Sequence, residues 1–413
     1  MSAPATDKAG LGARAVTAVA QLVGDRAIVI GSLPPSGRDL DLLVRRPERE
    51  RLERALPNAG FTRSGSTFAL FGACSAYAVE LIDAERYLHP PALGELFAAA
   101  LPLAGSEPLA RPAPVHALLV LARLAGRGGY LPPKRRVRLE RLLEEDPGAW
   151  EAAQAGAPAW EVAPALAALA RTASGIGSEP AWRALQRRTL GTRAGAGLLV
   201  VLSGVDGAGK SSQARWLHEA LTALGLDVDL VWNSLQGNAA LDLVAKPAKA
   251  LLRLSRRQVQ AMGDYDNLPE AHTPQIQDPL RSAWSSYVTL ANALEQRLHA
   301  ARSLARGRVI IFDRGPLDLA VRMEVVYRSA VARQRRVVAL ATPRPDLAYL
   351  LDLPPEVSVA RKDDIWSVAQ LAEHAATYRA LAPRFGARQI DATRAPDQIA
   401  AQIAREVWLR VAR

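Results

Sequence analysis

The sequence predicts an α/β protein in which a C-terminal parallel-sheet domain is preceded by a small α+β domain and an α-helical region. Three observations predict it. Apolar strand-like runs alternate with helical segments at the C-terminal end, short strands surround a helix near the N-terminus, and helical periodicity dominates between them. At 413 residues the chain is long enough for two or three cores. We predict domains at residues 1–88, 89–172 and 196–413, with a linker at 173–195.

The bulk properties favour a protein of a reducing compartment that handles anionic ligands. The net charge of +11 is spread evenly along the chain, which suits nucleotide-like substrates better than a nucleic-acid-binding arm. The single cysteine, Cys74, cannot form an intramolecular disulfide and is predicted to be a buried thiol. We see no signal peptide and no apolar stretch of membrane-spanning length, so we expect a cytoplasmic protein.

The first region is predicted to hold a small sheet with α+β order. The predicted helices are 13–22 and 48–56, and the predicted strands are 27–31, 39–44, a short one near Phe61, 68–71 and 77–83. A turn rich in proline and glycine joins the first two strands.

Two aspartates follow this turn at a spacing that suits metal binding. Asp39 and Asp41 are two apart on a strand, so both carboxylates lie on one face. Gly31 and Ser32 precede them and could contact a triphosphate, while the aspartates bind one or two divalent cations. The alternative is an ordinary solvated strand face.

Gly-Ser followed by Asp-x-Asp resembles the polymerase-β-like nucleotidyltransferase superfamily. The resemblance implies a third metal-binding carboxylate on a later strand, for which Glu80 fits and Asp83 is the alternative. It also implies a helical domain after this core, which matches residues 89–172. The turn is shorter than in most members, and a degenerate domain that only binds a ligand is the other interpretation.

Residues 89–172 are predicted to be helical throughout. Arg135, Arg136 and Arg138 form a basic cluster there, typical of a solvated helix face or a domain interface. The glycine- and serine-rich stretch that follows marks the main domain boundary.

The most informative motif lies between a predicted strand, 198–203, and a predicted helix, 213–224. Gly204-x-x-x-x-Gly209-Lys210-Ser211 places main-chain amides and a helix N-terminus around a phosphate. In this P-loop pattern the lysine reaches the β- and γ-phosphates and the serine hydroxyl binds Mg²⁺. The predicted nucleotide-binding residues are Gly204, Gly207, Ala208, Gly209, Lys210, Ser211 and Ser212. A glycine-rich strand–helix turn without a ligand is the alternative.

A second carboxylate is expected at the end of a neighbouring strand. Val309–Asp313 is apolar up to Asp313, which we predict to help hold Mg²⁺. The next residue, Arg314, could clamp an acceptor phosphate through two hydrogen bonds. A surface ion pair is the alternative for this pair. Further strands are predicted at 227–232, 347–353 and 389–391.

With these motifs, residues 196–413 resemble the thymidylate kinase family of P-loop nucleotide kinases. The P-loop with its Asp206 matches, as does Asp313-Arg314. Residues 346–357 are similar to the strand and turn that lead into the family's lid, which makes Arg361 and Lys362 candidates for stabilising charge on the transferring phosphoryl group. The resemblance implies ATP and Mg²⁺ as cofactors.

The departures from that family point to a different acceptor. Its Arg-Glu-Pro-Gly segment is replaced by Val-Trp-Asn-Ser at residues 231–234, and its acceptor-phosphate arginine falls on Asn292. Because a monophosphate would lose its bidentate partner, we expect an acceptor other than dTMP. Asp206 then becomes the candidate that positions or deprotonates an acceptor hydroxyl, the alternative being a residue that only caps the loop.

The sequence therefore predicts an ATP-dependent kinase acting on a small molecule, such as a nucleotide, sugar or sugar phosphate, with a second nucleotidyltransferase activity near the N-terminus. The predicted catalytic residues are Lys210, Asp206, Arg314 and Arg361, and the predicted metal ligands are Ser211, Asp313, Asp39, Asp41 and Glu80. The rival hypotheses are a nucleic-acid end-processing enzyme and a nucleotide-sensing regulator of the toxin–antitoxin type. The partners are a nucleoside triphosphate and the acceptor, nucleic acid is not favoured, and the oligomeric state is left open.

Overall fold

A computed structural model divides the chain into two compact units, Met1–Ala194 and Gly195–Val411. The residues that the structure describes are 8–35, 37–126, 131, 133–173, 197–233, 278–325, 340–361 and 367–411. Almost all of the predicted linker falls outside these ranges. The linker and the domain boundaries stay predictions. The α/β fold class is confirmed.

The first unit contains both a mixed sheet and helices. Its helices are α1 (Lys8–Leu22), α2 (Arg46–Ala55), α3 (Ala84–Tyr87), α4 (Ala92–Ala98), α5 (Pro114–Ala125), α6 (Pro133–Glu145), α7 (Ala149–Gly156) and α8 (Ala163–Ala173). Its strands are β1 (Ala27–Val29), β2 (Asp39–Val44), β3 (Thr62–Ser64), β4 (Thr67–Phe71), β5 (Ala76–Asp83), β6 (Leu101–Pro102) and β7 (Leu109–Arg111).

Within the described residues these strands form one sheet in the order β3-β4-β5-β2-β1-β7-β6. Helices cover both faces. One core joins α1 to the sheet through side chains such as Val19 and Leu42, and a second joins α4–α8 to the other face through side chains such as Ile28 and Leu118. Alternate residues of β1, β2 and β7 supply the two cores, because successive strand side chains point to opposite faces.

The region predicted to be all-helical contains two strands, which corrects that prediction. β7 pairs in parallel with β1, with Ala27 opposite Leu109, and β6 pairs with β7. Segments of two and three residues are too short to show the alternation by which strands are recognised in a sequence. Their pairing with β1 extends the sheet beyond the boundary predicted at residue 88.

The second unit alternates strands and helices, as predicted. Its strands are β8 (Leu198–Gly204), β9 (Val228–Trp232), β10 (Val309–Asp313), β11 (Leu347–Asp352) and β12 (Ala387–Asp391). Its helices are α9 (Lys210–Ala223), α10 (Asp278–Leu304), α11 (Pro316–Val325), α12 (Pro355–Arg361), α13 (Val368–Leu381) and α14 (Pro396–Val411).

Among the described residues, these strands form a parallel sheet in the order β12-β11-β8-β10-β9. β8 is buried along its whole length, and its side chains Leu199 and Val201 pack with Ile310 and Phe312 of β10. β8 lies between β11 and β10, which both come later in the chain. After β8 the chain continues to β9 on one side of the sheet, and after β10 it continues to β11 on the other side. The loops therefore diverge at the carboxyl ends of β8 and β10. Such a point in an open α/β sheet is where ligands bind.

Candidate functional site

The P-loop turn begins where β8 passes very close to β11. Gly204 has a φ of 149°, and a Cβ atom there would lie 2.5 Å from the Leu351 carbonyl oxygen. Only glycine fits this approach. The turn closes with a hydrogen bond from the Ala208 amide to the Val205 carbonyl, and α9 starts directly at Lys210. The sequence motif therefore folds into the strand–turn–helix arrangement that it predicts.

The first turn of α9 faces the end of the sheet with the polar groups expected for phosphate binding. Ser211 is exposed and Ser212 is half-buried. The first amides of any helix lack intrahelical partners, and the helix dipole makes this end positive. Anionic oxygens placed here would meet main-chain donors and a serine hydroxyl.

Lys210 is a buried cation at the base of the turn. Its side chain is 5% exposed, and Nζ donates hydrogen bonds to the carbonyl oxygens of Gly204 and Val205 at 2.8 Å each. Burial, followed by the charge of Arg314, lowers the pKa of Lys210. The carbonyl oxygens of the loop therefore orient this cation.

Asp206 and Arg314 form an ion pair across the site. Arg314 Nη2 lies 2.6 Å from Asp206 Oδ1, which is also 3.7 Å from Lys210 Nζ. Burial alone lowers the pKa of Arg314, but the Asp206 carboxylate and other acidic neighbours outweigh it and raise that pKa. The arginine thus reaches the P-loop from the end of β10, and one of its donors is already engaged by a carboxylate.

The backbone at Arg314 is in the left-handed region, with a φ of 75°, which is unusual for a residue other than glycine. Hydrogen bonds hold it there. The Arg314 amide donates to the Leu202 carbonyl at 3.0 Å, and Asn233 Nδ2 donates to the Arg314 carbonyl at 2.6 Å. The Asn233 amide also bonds to Asp313. Asn233, at the end of β9, is a functional candidate that the sequence analysis named only as part of a replaced segment.

The position of Asp313 is suitable for a residue that binds Mg²⁺. It lies at the end of β10, opposite Leu202 of β8, and is 3% exposed. Its Oδ1 atom is buried and has no hydrogen-bond partner among the described residues. A buried carboxylate oxygen normally has a donor or a cation, so this atom and the Ser211 hydroxyl fit a site for Mg²⁺ that shares phosphate oxygens.

The lid candidates are only partly described. Arg361 lies at the end of α12 and donates to the Ala392 carbonyl at 3.2 Å. Lys362 lies outside the described residues. The same helix contributes a contact that the sequence did not suggest: the Ser358 hydroxyl donates to the main-chain oxygen of Asp206. Asn292, on α10, is 2% exposed.

In the first unit, pairing between strands brings two predicted metal ligands together. Asp41 of β2 is directly opposite Glu80 of β5, and Asp39 lies on the same face two residues earlier. Asp41 Oδ2 would be 3.2 Å from a Cβ at Gly31, so the Gly-Ser turn lies against this carboxylate. Burial, then the charges of Asp39 and Glu80, raises the pKa of Asp41 to about 7. The alternative ligand, Asp83, instead caps α3.

One arginine of the basic cluster has a more specific position than a solvated face. Arg138 Nη1 donates to the Ile30 carbonyl at 2.7 Å, next to Gly31 and the exposed Ser32. Its charge and that of Arg135 favour the ionised form of Asp41. Burial, followed by the charge of Arg135, lowers the pKa of Arg138. Cations from α6 therefore face the carboxylates of β2 within one unit.

Across the part of the chain that is described, no group of three or more His, Cys, Asp or Glu side chains could by itself hold a metal ion. Asp39, Asp41 and Glu80 share a face but do not meet as one ligand group. Their metal role stays a prediction. The P-loop site is unaffected, since it would draw on one carboxylate, a hydroxyl and the phosphates of a nucleotide.

The chain is similar to curated thymidylate kinases. That of Desulforudis audaxviator is 31% identical over 170 residues, which are 40% of this chain and 66% of the relative. That of Xanthomonas euvesicatoria pv. vesicatoria is 30% identical over 178 residues, 40% of this chain and 60% of the relative. That of Prosthecochloris aestuarii is 26% identical over 165 residues, 40% and 64% respectively. No protein-family model matches the chain.

The chain contains a thymidylate kinase-like P-loop region. It spans between 60% and 66% of the length of these relatives, and the similarity leaves most of the chain uncovered. The P-loop and the Asp313-Arg314 turn lie in the second unit. No described helix is long and apolar enough to cross a membrane.

Proposed function

We propose that the second unit transfers the γ-phosphoryl group of ATP to a small-molecule acceptor other than dTMP, such as a nucleotide, sugar or sugar phosphate. One observation carries the proposal. Lys210, Asp206, Asp313 and Arg314 come together at the carboxyl ends of β8 and β10, beside a turn shaped for polyphosphate. Similarity to thymidylate kinases supports the same class of reaction.

Each residue has a role that follows from its charge and position. Lys210 and the first amides of α9 would hold the β- and γ-phosphates, and Arg314 would neutralise charge on the transferring group. Ser211 and Asp313 would hold Mg²⁺, which when bound screens the phosphate charge. Asp206 would orient the acceptor hydroxyl or accept its proton. Catalysis is then mainly positioning and electrostatic stabilisation.

The proposal of an acceptor other than dTMP depends on the residue that stands in place of the expected acceptor-phosphate arginine. Asn292 is a buried, uncharged amide at the position where the resemblance leads us to expect an arginine. An acceptor monophosphate would therefore find fewer free cations than in a thymidylate kinase, which disfavours dTMP.

The test is a mass-spectrometric screen of nucleotides, sugars, sugar phosphates and oligonucleotides with ATP and Mg²⁺. We expect a product heavier by one phosphoryl group, and we expect Lys210→Ala to abolish its formation while the fold remains intact. Arg215→Ala is the matched control, because it removes an exposed cation one turn further along α9. Wild-type transfer by Lys210→Ala would refute the proposal.

The same screen separates the rival functions. A nucleic-acid end-processing enzyme would phosphorylate oligonucleotides and bind them with a steep salt dependence. A nucleotide-sensing regulator would bind ATP in a calorimetric titration without turning it over.

We also propose a nucleotidyltransferase activity for the first unit. The observation that favours it is the register that places Asp41 opposite Glu80, next to the Gly31-Ser32 turn, with Arg138 bonded to the carbonyl of Ile30 just before that turn. Carboxylates beside a glycine turn and half-buried arginines suit a nucleoside triphosphate and its metal ion.

Its test is pyrophosphate release from the four ribonucleoside triphosphates in the presence of the kinase product. Asp41→Asn should abolish the release, whereas Asp25→Asn, an exposed aspartate of the same unit, should not. Equal rates in wild type and Asp41→Asn would exclude this role.

A further inference from the structure

Asp318 is a buried carboxylate to which the proposed function assigns no role. It lies on α11, is 1% exposed, and accepts several hydrogen bonds. The Ser203 hydroxyl donates at 2.6 Å, the Gly315 amide at 2.8 Å, the Tyr378 hydroxyl at 2.8 Å and the Gly204 amide at 3.5 Å. This set of groups joins parts of the chain that are far apart in sequence.

The donors come from the segments that form the candidate site. Ser203 and Gly204 are the last residues of β8, directly before the P-loop turn. Gly315 follows Arg314, and Tyr378 lies on α13, the helix that comes after the lid segment. A single side chain therefore ties the entry of the P-loop to the arginine turn and to α13.

The hydrogen bonds at Asp318 suit a carboxylate. The Gly315 and Gly204 amides can only donate, and they approach different carboxylate oxygens, whereas the Ser203 and Tyr378 hydroxyls can also accept. An asparagine would direct its NH₂ group at one of the two amides. Burying an anion is costly unless it is fully hydrogen-bonded and near positive charge. The Asp318 charge acts on both Lys210 and Arg314, the two cations assigned to phosphate.

The arginine turn has particular need of such support. The left-handed conformation of Arg314 persists only where the surrounding structure determines it. Asn233 holds its carbonyl, and Asp318 holds the amide of the next residue, Gly315. Without the second contact, this peptide could rotate and carry the guanidinium away from Asp206.

We propose that Asp318 is a positioning residue for phosphoryl transfer. It holds the P-loop entry and the Arg314 turn in one geometry through Ser203, Gly204 and Gly315, without touching nucleotide or acceptor. This inference rests on the proposed kinase function.

The experiment measures ADP release from Mg·ATP by the full chain, with and without the acceptor found in the screen. We expect Asp318→Asn to lower kcat by about 10- to 100-fold while KM for ATP changes less than about threefold, because misplaced groups affect the transition state most. Tyr378→Phe removes one donor and keeps the ring, so its kcat should fall by a smaller factor.

The matched control is Asp229→Asn. Asp229 also accepts from a serine, Ser303, at 2.6 Å and pairs with an arginine, Arg308, at 2.9 Å. Asp229 lies opposite Ile310, near the amino end of β9, whereas the candidate site lies at the carboxyl ends of the strands. The kcat of Asp229→Asn should therefore equal that of the wild type. Thermal unfolding of every variant separates loss of fold from loss of positioning.

The outcomes are distinct. A lower kcat in folded variants supports the inference, and a lower melting temperature with wild-type kcat overturns it. If Asp318→Asn does not fold, the kcat of Tyr378→Phe decides. A wild-type chain that turns over no ATP removes the proposed kinase function and this inference with it, whereas an active wild type with equally active variants removes the inference alone.

Discussion

Arg314 shows how single residues maintain the geometry of this site. A non-glycine residue in the left-handed conformation costs about 1–2 kcal/mol. Hydrogen bonds with Asn233, Leu202 and Asp313 surround the turn and offset that cost. The strained turn directs the guanidinium to Asp206, and such strain is concentrated at functional sites in proteins.

We predict that Asn233→Ala weakens both the turn and the reaction. The loss of a buried hydrogen bond to a carbonyl should lower the unfolding free energy by about 1–2 kcal/mol, and a displaced arginine should lower turnover by about tenfold. Urea unfolding and ADP release measure the two effects. Asn58→Ala, at an exposed position of the other unit, is the control. Full turnover by folded Asn233→Ala would contradict this role.

At the scale of elements, α13 links packing to the site. Tyr378 projects from it to Asp318, and Tyr378, Leu371 and Leu381 are buried. The helix begins with a capping box: the Ser367 hydroxyl accepts from the Gln370 amide, and the Gln370 side chain accepts from the Ser367 amide. These contacts satisfy amides that a helix start leaves without partners.

We predict that Ser367→Ala lowers the unfolding free energy by about 1 kcal/mol, because the cap is lost. Thr377→Ala is the control on the same helix, since the hydroxyl of half-buried Thr377 donates to the Glu373 carbonyl in the preceding turn and alanine favours helix. Chemical denaturation compares the two variants. Equal stability of Ser367→Ala and wild type would show that the cap is not used in solution.

The whole molecule consists of two units, each with its own core and its own candidate anion site. In the first unit, carboxylates and arginines face one another. Burial and the neighbouring carboxylates raise the pKa of Asp41 from 3.8 to about 7. The folded state therefore binds a proton that the unfolded chain releases at lower pH.

This linkage predicts a pH dependence of stability without metal. Because the pKa of Asp41 is higher in the folded state, its protonation stabilises the fold. This stabilisation is complete below pH 3.8, the pKa in the unfolded chain, and is lost as the pH rises through about 7. In EDTA, the unfolding free energy of the wild type should fall by about 2–3 kcal/mol more than that of Asp41→Asn between pH 5 and pH 8. Urea unfolding at both pH values tests it, and parallel losses would exclude a raised pKa.

The strand–turn–helix around Lys210, the strand before Asp313 and the Asp-x-Asp strand could be predicted from the sequence, because each depends on contiguous residues with a recognisable periodicity and composition. The strands 309–313 and 39–44 agree with the structure residue for residue. The contacts of Asn233, Asp318, Ser358 and Arg138, and the short strands β6 and β7, depend on the tertiary structure. Their partners lie at distant positions, 115 residues apart for Ser203 and Asp318, and no local pattern records such a contact.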